Sequence, residues 1–152
     1  MLETNVFDME RMDDSGQLLV SNDGQHFFNP GTSRNSGKAF SGEHSLKLGM
    51  KTEQNISALI PVEPGEQWVV SVKRKSPWFK GVLVLTGDEG AHFYKDIRVG
   101  LPSAREGWDS LSLQIEISWE EATTLKVILR NTGRLNAWFD DLRIEKVEKF
   151  SP

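Results

Sequence analysis

Apolar and polar residues alternate along most of this chain, as they do in strands with one face buried and the other in water. The clearest run sets Leu111, Leu113, Ile115 and Ile117 against Ser112, Gln114, Glu116 and Ser118. A second puts Trp68, Val70 and Val72 on one face, with Ser71, Lys73 and Lys75 on the other. Leu125, Val127 and Leu129 alternate with Lys126, Ile128 and Arg130, and Ser45 to Leu48 is a shorter run of the same kind. Gly81-Val82-Leu83-Val84-Leu85-Thr86 is continuously apolar, which predicts a central strand covered on both sides. A last strand runs from about residue 136 to 147.

Turn signals separate these runs at short intervals: Asp23-Gly24, Asn29-Pro30-Gly31, Glu63-Pro64-Gly65, Gly87-Asp88-Glu89-Gly90, Glu106-Gly107 and Asn131-Thr132-Gly133. Many short strands with frequent turns predict an all-β sandwich or barrel of about nine to eleven strands. Residues 29–42, rich in Gly, Ser and Asn, read as a long surface loop. Ser118-Trp119-Glu120-Glu121 has the form of a helix capping box. The β-branched Thr123, Thr124, Val127 and Ile128 that follow favour instead a turn at 119–122 leading into a strand.

The 152 residues fit one domain spanning the chain, with length enough for a real core. Apolar residues at 38% and charged residues at 26% are those of an ordinary globular sequence. A net charge of −4 gives no bulk attraction to nucleic acid or anionic membrane, and no apolar run approaches a membrane span. Met1 to Asn5 lacks the basic start of a signal peptide. The absence of cysteine excludes disulfides and thiolate metal sites. Five tryptophans and eight phenylalanines against one tyrosine supply the core, and any left outside it become candidates for a binding surface.

Ala137-Trp138-Phe139-Asp140-Asp141-Leu142 places two carboxylates inside an aromatic and aliphatic strand, where charge is costly unless compensated. A cation would compensate it; so would a solvated sheet edge. Four further motifs precede this one: Asn5-Val6-Phe7-Asp8; Phe40-Ser41-Gly42-Glu43-His44-Ser45-Leu46-Lys47-Leu48; Ile60-Pro61-Val62-Glu63-Pro64-Gly65-Glu66-Gln67-Trp68; and Gly107-Trp108. In this order the five resemble the jelly-roll carbohydrate-binding modules with a galactose-binding-domain-like fold, over nearly the whole chain. The resemblance implies a two-sheet antiparallel β-sandwich. It also implies a structural calcium near the chain ends, with side-chain oxygens from Asp8 and Asp140, Asp141 as a further ligand, and backbone carbonyls near Gly42 and Glu43. Calcium takes roughly six to eight hard oxygens. The family commonly has Glu where this chain has Asp8, and Glu10 is the substitute.

Sugar binding calls for flat exposed aromatics with polar neighbours. Trp68 points inward by alternation, and Trp108 and Trp138 occupy core-like positions of the family. Trp78 and Phe79 lie in a basic stretch broken by Pro77 and are the foremost candidates. Lys73, Lys75, Lys126 and Arg130 would form one basic face if their strands share a sheet, and such a face suits carboxylated or sulfated sugars. His92 and Tyr94 follow a Gly-rich turn as further ligand candidates, whereas His26-Phe27-Phe28 reads as strand core. No nucleophile elbow, P-loop, zinc-protease motif or dinucleotide fingerprint is present. The expectation is a non-catalytic polysaccharide-binding module, secreted or at the cell surface, that targets a tethered catalytic domain to its substrate. The alternative is a structural or protein-interaction sandwich of a larger extracellular protein.

Overall fold

The computed structural model describes residues 3–49, 56–76, 79–87, 93–118 and 124–147, and the thirteen elements named among them are strands. They form two antiparallel sheets. Sheet I runs β10 (Leu101–Pro102), β11 (Asp109–Glu116), β7 (Gln67–Lys75), β13 (Ala137–Val147), β5 (His44–Leu48), β4 (Arg34–Ser36), with β1 (Glu3–Phe7) also paired to β13. Sheet II runs β2 (Leu19–Val20), β3 (Phe27–Asn29), β6 (Ser57–Pro61), β12 (Thr124–Asn131), β8 (Gly81–Gly87), β9 (Phe93–Ile97). This is the jelly-roll sandwich expected from the alternating runs. The strand count exceeds the expected range because pairs as short as β2 and β10 carry no periodicity of their own. One of the extra strands, β4, lies within the stretch 29–42 that reads as loop. The turn expected at 119–122 lies outside the described residues.

Inward side chains of both sheets meet in one apolar cluster. Sheet I contributes Phe7, Leu46, Leu48, Trp68, Val70, Val72, Leu111, Leu113, Ile115, Phe139, Leu142 and Ile144; sheet II contributes Phe28, Ala58, Ile60, Leu83, Leu85, Leu125, Val127 and Leu129. Phe7 and Phe28 join the layers, with ring centroids 5.8 Å apart and tilted planes. Every residue of β8 is buried, as its unbroken apolar run requires.

β13 is the hinge of the architecture. Its first residues pair with β5, from Ala137 opposite Leu48 to Phe139 opposite Leu46. Its later residues pair with β1, from Leu142 opposite Phe7 to Lys146 opposite Glu3. Between them the register with β7 slips, between Asp140 and Arg143, and Asp141 adopts a left-handed φ of 47°. The bulge has a packing reason. Phe139 and Leu142 are three positions apart and both point inward, which strict alternation forbids and one inserted residue permits. The first and last strands are therefore direct neighbours.

Candidate functional site

The bulge leaves Asp140 facing outward from sheet I and yet wholly buried, because the loop 37–43 lies over it. Its Oδ2 accepts hydrogen bonds from the backbone N–H of Phe40 (2.9 Å) and Ser41 (3.1 Å), and its Oδ1 from that of Asp141 (2.8 Å). Ser41 Oγ donates to the Asp141 carboxylate at 2.9 Å. Burial, with the charge of Asp141 adding to it, pushes the Asp140 carboxyl up to about 7. Burial also raises Asp141, helped by the charge of Asp8.

One turn further on, Glu10 Oε2 accepts from the backbone N–H of Glu43 (3.2 Å) and His44 (2.8 Å), and its Oε1 lies 2.7 Å from His44 Nδ1. Burial opposes ionisation of Glu10, but the bonds from His44 and Glu43 prevail and hold it below the usual carboxylate range. Gly42 makes this approach possible: its φ is +65°, and a Cβ there would lie 2.7 Å from Glu10 Oε2.

The expected calcium ligands lie among these contacts. The segment 40–44 presents N–H donors, not carbonyl oxygens, to the carboxylates of Asp140 and Glu10. Asp8 Oδ1 accepts from Glu10 N at 3.0 Å, and Glu43 is exposed. Among the described residues no three His, Cys, Asp or Glu side chains are grouped to hold a metal ion. Backbone amides offset part of the cost of burying these carboxylates, and burial still leaves Asp140 raised.

The two strands expected to share a basic face belong to different sheets. Lys73 and Lys75 point outward from β7 in sheet I; Lys126 and Arg130 point outward from β12 in sheet II, on the opposite outside of the sandwich. Alternation gave the inner and outer side of each strand but carried no information on which sheet it joins. Trp138, expected in the core, also lies on the outer face of sheet I, half-buried between Lys47 and Lys75 on the flanking strands. Trp108 is buried as expected, but against Phe40 (5.9 Å between centroids, edge-on) rather than in the central cluster.

The outer face of sheet II is of another kind. Cross-strand partners set Leu59, Lys126, Thr86 and Tyr94 in one row over four strands. Phe27 extends the row on β3, since Phe28 pairs with Ala58 and the next positions out are Phe27 and Leu59. Phe27, Leu59 and Tyr94 are 46%, 50% and 56% exposed. At roughly 4.8 Å per strand, the two aromatic ends stand about 19 Å apart. Beside the row lie Val82, Val84 and Ile128, a small buried apolar cluster separate from the main core, and Arg130 opposite Val82. A groove of about 490 Å³ runs along the β3 side, lined by Gln25, His26, Phe27, Asn29, Leu59 and Lys126 among others. Thr86 Oγ1, in the middle of the row, is buried without a hydrogen-bond partner. Tyr94 Oη donates to Asp96 Oδ2 at 3.2 Å.

Solved structures of other proteins share this layout. The CBM22-1 xylan-binding domain of Xyn10C from Paenibacillus barcinonensis superposes with a TM-score of 0.55 over 98% of this chain and 96% of its own, at 17% identity. A xylan-binding domain from CBM 22, formerly x6b, gives 0.54 over 95% and 94%, at 16% identity. The fold is that of a jelly-roll carbohydrate-binding module. The same jelly roll also occurs in a Stig cyclase from Fischerella sp. TAU, crystallised with an indole compound (TM-score 0.51, 13% identity, 95% and 86% covered), so the fold by itself serves catalysis as well as binding. No family model matches the chain, and no curated protein matches it in sequence.

Of the expected ligand residues, Tyr94 and Arg130 share the outer face of sheet II, with Arg130 four positions along β12 from Lys126, and Lys73 and Lys75 share that of sheet I. Phe79 is 51% exposed at the turn between β7 and β8, with a φ of 57°. It stacks on the Arg74 guanidinium, 5.5 Å from its ring centroid. Arg74 is itself buried, bonded to Asp109 and to the carbonyls of Gly81 and Arg98. Trp78 and His92 lie outside the described residues. Phe27 corrects the reading of His26-Phe27-Phe28 as core: adjacent strand residues face opposite sides, so only one of two consecutive phenylalanines enters the interior. That signal was present in the sequence, as was the outward place of Leu59.

Proposed function

We propose that this chain is a non-catalytic polysaccharide-binding module that holds its glycan along the outer row of sheet II. The observation that carries the reading is the pair of exposed aromatics, Phe27 and Tyr94, at the two ends of a row filled by Leu59, Lys126 and Thr86. Sugar rings present C–H faces that pack on aromatic faces, and hydroxyls that seek amides and hydroxyls. Phe27 and Tyr94 offer the first, and Gln25, Asn29 and Thr86 the second. Thr86 Oγ1 gains its missing partner from a ligand hydroxyl once the flanking Lys126 and Tyr94 side chains part. The row is long enough for several sugar units, which suits a chain polymer rather than a monosaccharide.

Neighbours in fold that are named as xylan-binding make a β-linked plant polysaccharide the first glycan to test. Nothing among the described groove residues pairs two carboxylates across it, as glycoside hydrolysis needs. The module acts outside the cell as part of a larger enzyme, where holding the polymer raises the local substrate concentration for a tethered catalytic domain. Affinity electrophoresis through gels of xylan and mixed-linkage glucan tests the reading. The intact chain is retarded, and Phe27→Ala and Tyr94→Ala each relieve the retardation. An intact chain that migrates freely through every neutral polysaccharide ends it.

A further inference from the structure

We propose that the outer face of sheet I is a second binding surface, for the carboxylate groups of a uronate polysaccharide. Lys47, Trp138 and Lys75 stand side by side on β5, β13 and β7. Lys38 Nζ lies 4.3 Å from the Trp138 ring centroid, and Lys73 Nζ 5.2 Å from that of Phe40. Arg105 Nη1 donates to Phe40 O at 2.6 Å and ties the loop 37–43 to the loop 103–108. The face thus gathers four lysines and one arginine around a half-buried indole, in a protein of net charge −4.

Two features point to an anionic occupant. Lys38, Lys47 and Lys75 make no side-chain hydrogen bond or ion pair with any described residue. The Lys38 charge is nonetheless positioned over Trp138, and an ammonium held over an aromatic face gives up less freedom on binding than one in open water. Trp138 Nε1, a donor only, is buried without an acceptor. A carboxylate oxygen on this row gives the lysines a counter-charge, and reaches Trp138 Nε1 once the side chains that cover it part. The lysines act as point charges rather than bidentate clamps, which suits carboxylates borne ring by ring on a polymer.

A uronate chain also offers flat C–H surface to Trp138, which a sugar–phosphate backbone does not. Asp141 shares the face and feels the charge of Lys73; together with the net negative charge it disfavours a dense polyphosphate. The surface is independent of the sheet II row, and only the choice of a glycan as occupant rests on that reading.

Titration calorimetry of the full chain with polygalacturonate tests this. Binding is expected for the intact chain, weakened about fivefold or more in Lys47→Gln/Lys75→Gln and weakened again at high salt. Phe27→Ala/Tyr94→Ala leaves polygalacturonate binding unchanged while removing neutral-glycan binding. Unaltered polygalacturonate affinity in the lysine variant, at unaltered melting temperature, overturns this surface and leaves the sheet II row standing. Loss of neutral-glycan binding in the intact chain, with polygalacturonate binding retained, does the reverse. Tighter binding of a short DNA duplex than of polygalacturonate overturns the choice of occupant.

Discussion

The two outer faces of this sandwich arise from the same alternating strands yet are finished differently. Sheet II ends in its own side chains: a row of cross-strand neighbours meets solvent directly, with aromatics at either end. Sheet I is roofed. The loop 37–43 lies across it, and Asp140, which alternation sends outward, is buried beneath by the amides of Phe40 and Ser41. The contrast separates two uses of an outward residue. On sheet II it remains available to a ligand. On sheet I one of them is an anchor for the loop that shapes the rest of the face, and backbone donors offset part of the cost of its burial.

The most forceful way to break this contrast is Asp140→Ala. It strips two loop amides of their acceptor and frees the roof, and a loss of about 3 kcal/mol is expected in urea unfolding, with neutral-glycan binding on sheet II retained. A loss under about 1 kcal/mol would mean that the loop is held by something else.

Titration sharpens the same point. The Asp140 carboxyl titrates at about 7 folded against 3.8 for an ordinary aspartate. Between those values the folded state holds the proton more tightly than the unfolded chain. The contribution to stability is therefore complete below pH 3.8 and lost as pH rises through about 7. Melting temperature followed over that range in the native protein and in Asp140→Asn isolates this falling component. Parallel pH profiles for the two would remove it. Glu10 and Glu66, both held below their ordinary range, add a component of opposite sign common to both proteins.

Sheet II should respond in the other manner. Phe27→Ala/Tyr94→Ala is expected to change stability by less than about 1 kcal/mol, because both rings are already half in water, while glycan retardation is lost. A large drop in melting temperature would make the row part of the scaffold. The smallest effect expected is none: with loop amides already bonded to Asp140 and Glu10, excess chelator should leave the melting temperature where it was. An ion bound only by the folded state would reveal itself as a fall on chelation.

The fold was largely legible in advance. Leu111 to Ile117, Trp68 to Val72 and the solid apolar stretch of β8 carry their burial in their spacing, because a strand has only two sides. The paired aspartates announce a need for compensation but not its source, and part of it comes from N–H groups of a loop a hundred positions away in the chain. The site was only partly legible. Tyr94, a candidate from the sequence, falls on the sheet II row, and Arg130 lies on the same face four positions along β12 from Lys126; Phe27 reads as core although its neighbour Phe28 already fills that place. Lys73 and Lys75 were joined to Lys126 and Arg130 across a gap that proved to be the whole thickness of the sandwich.

What the sequence by itself determined was local: which residues are extended, which side of each strand is apolar, and where turns interrupt. Those properties follow from period-two geometry and from turn chemistry, both short-range. What only the tertiary structure decided was partnership. Whether β7 and β12 share a sheet, which strand stands next to β13 on each side of its bulge, and whether an outward residue meets water or a loop all depend on contacts between distant segments. Alternation is blind to these, because a strand presents the same pattern whichever neighbour it finds.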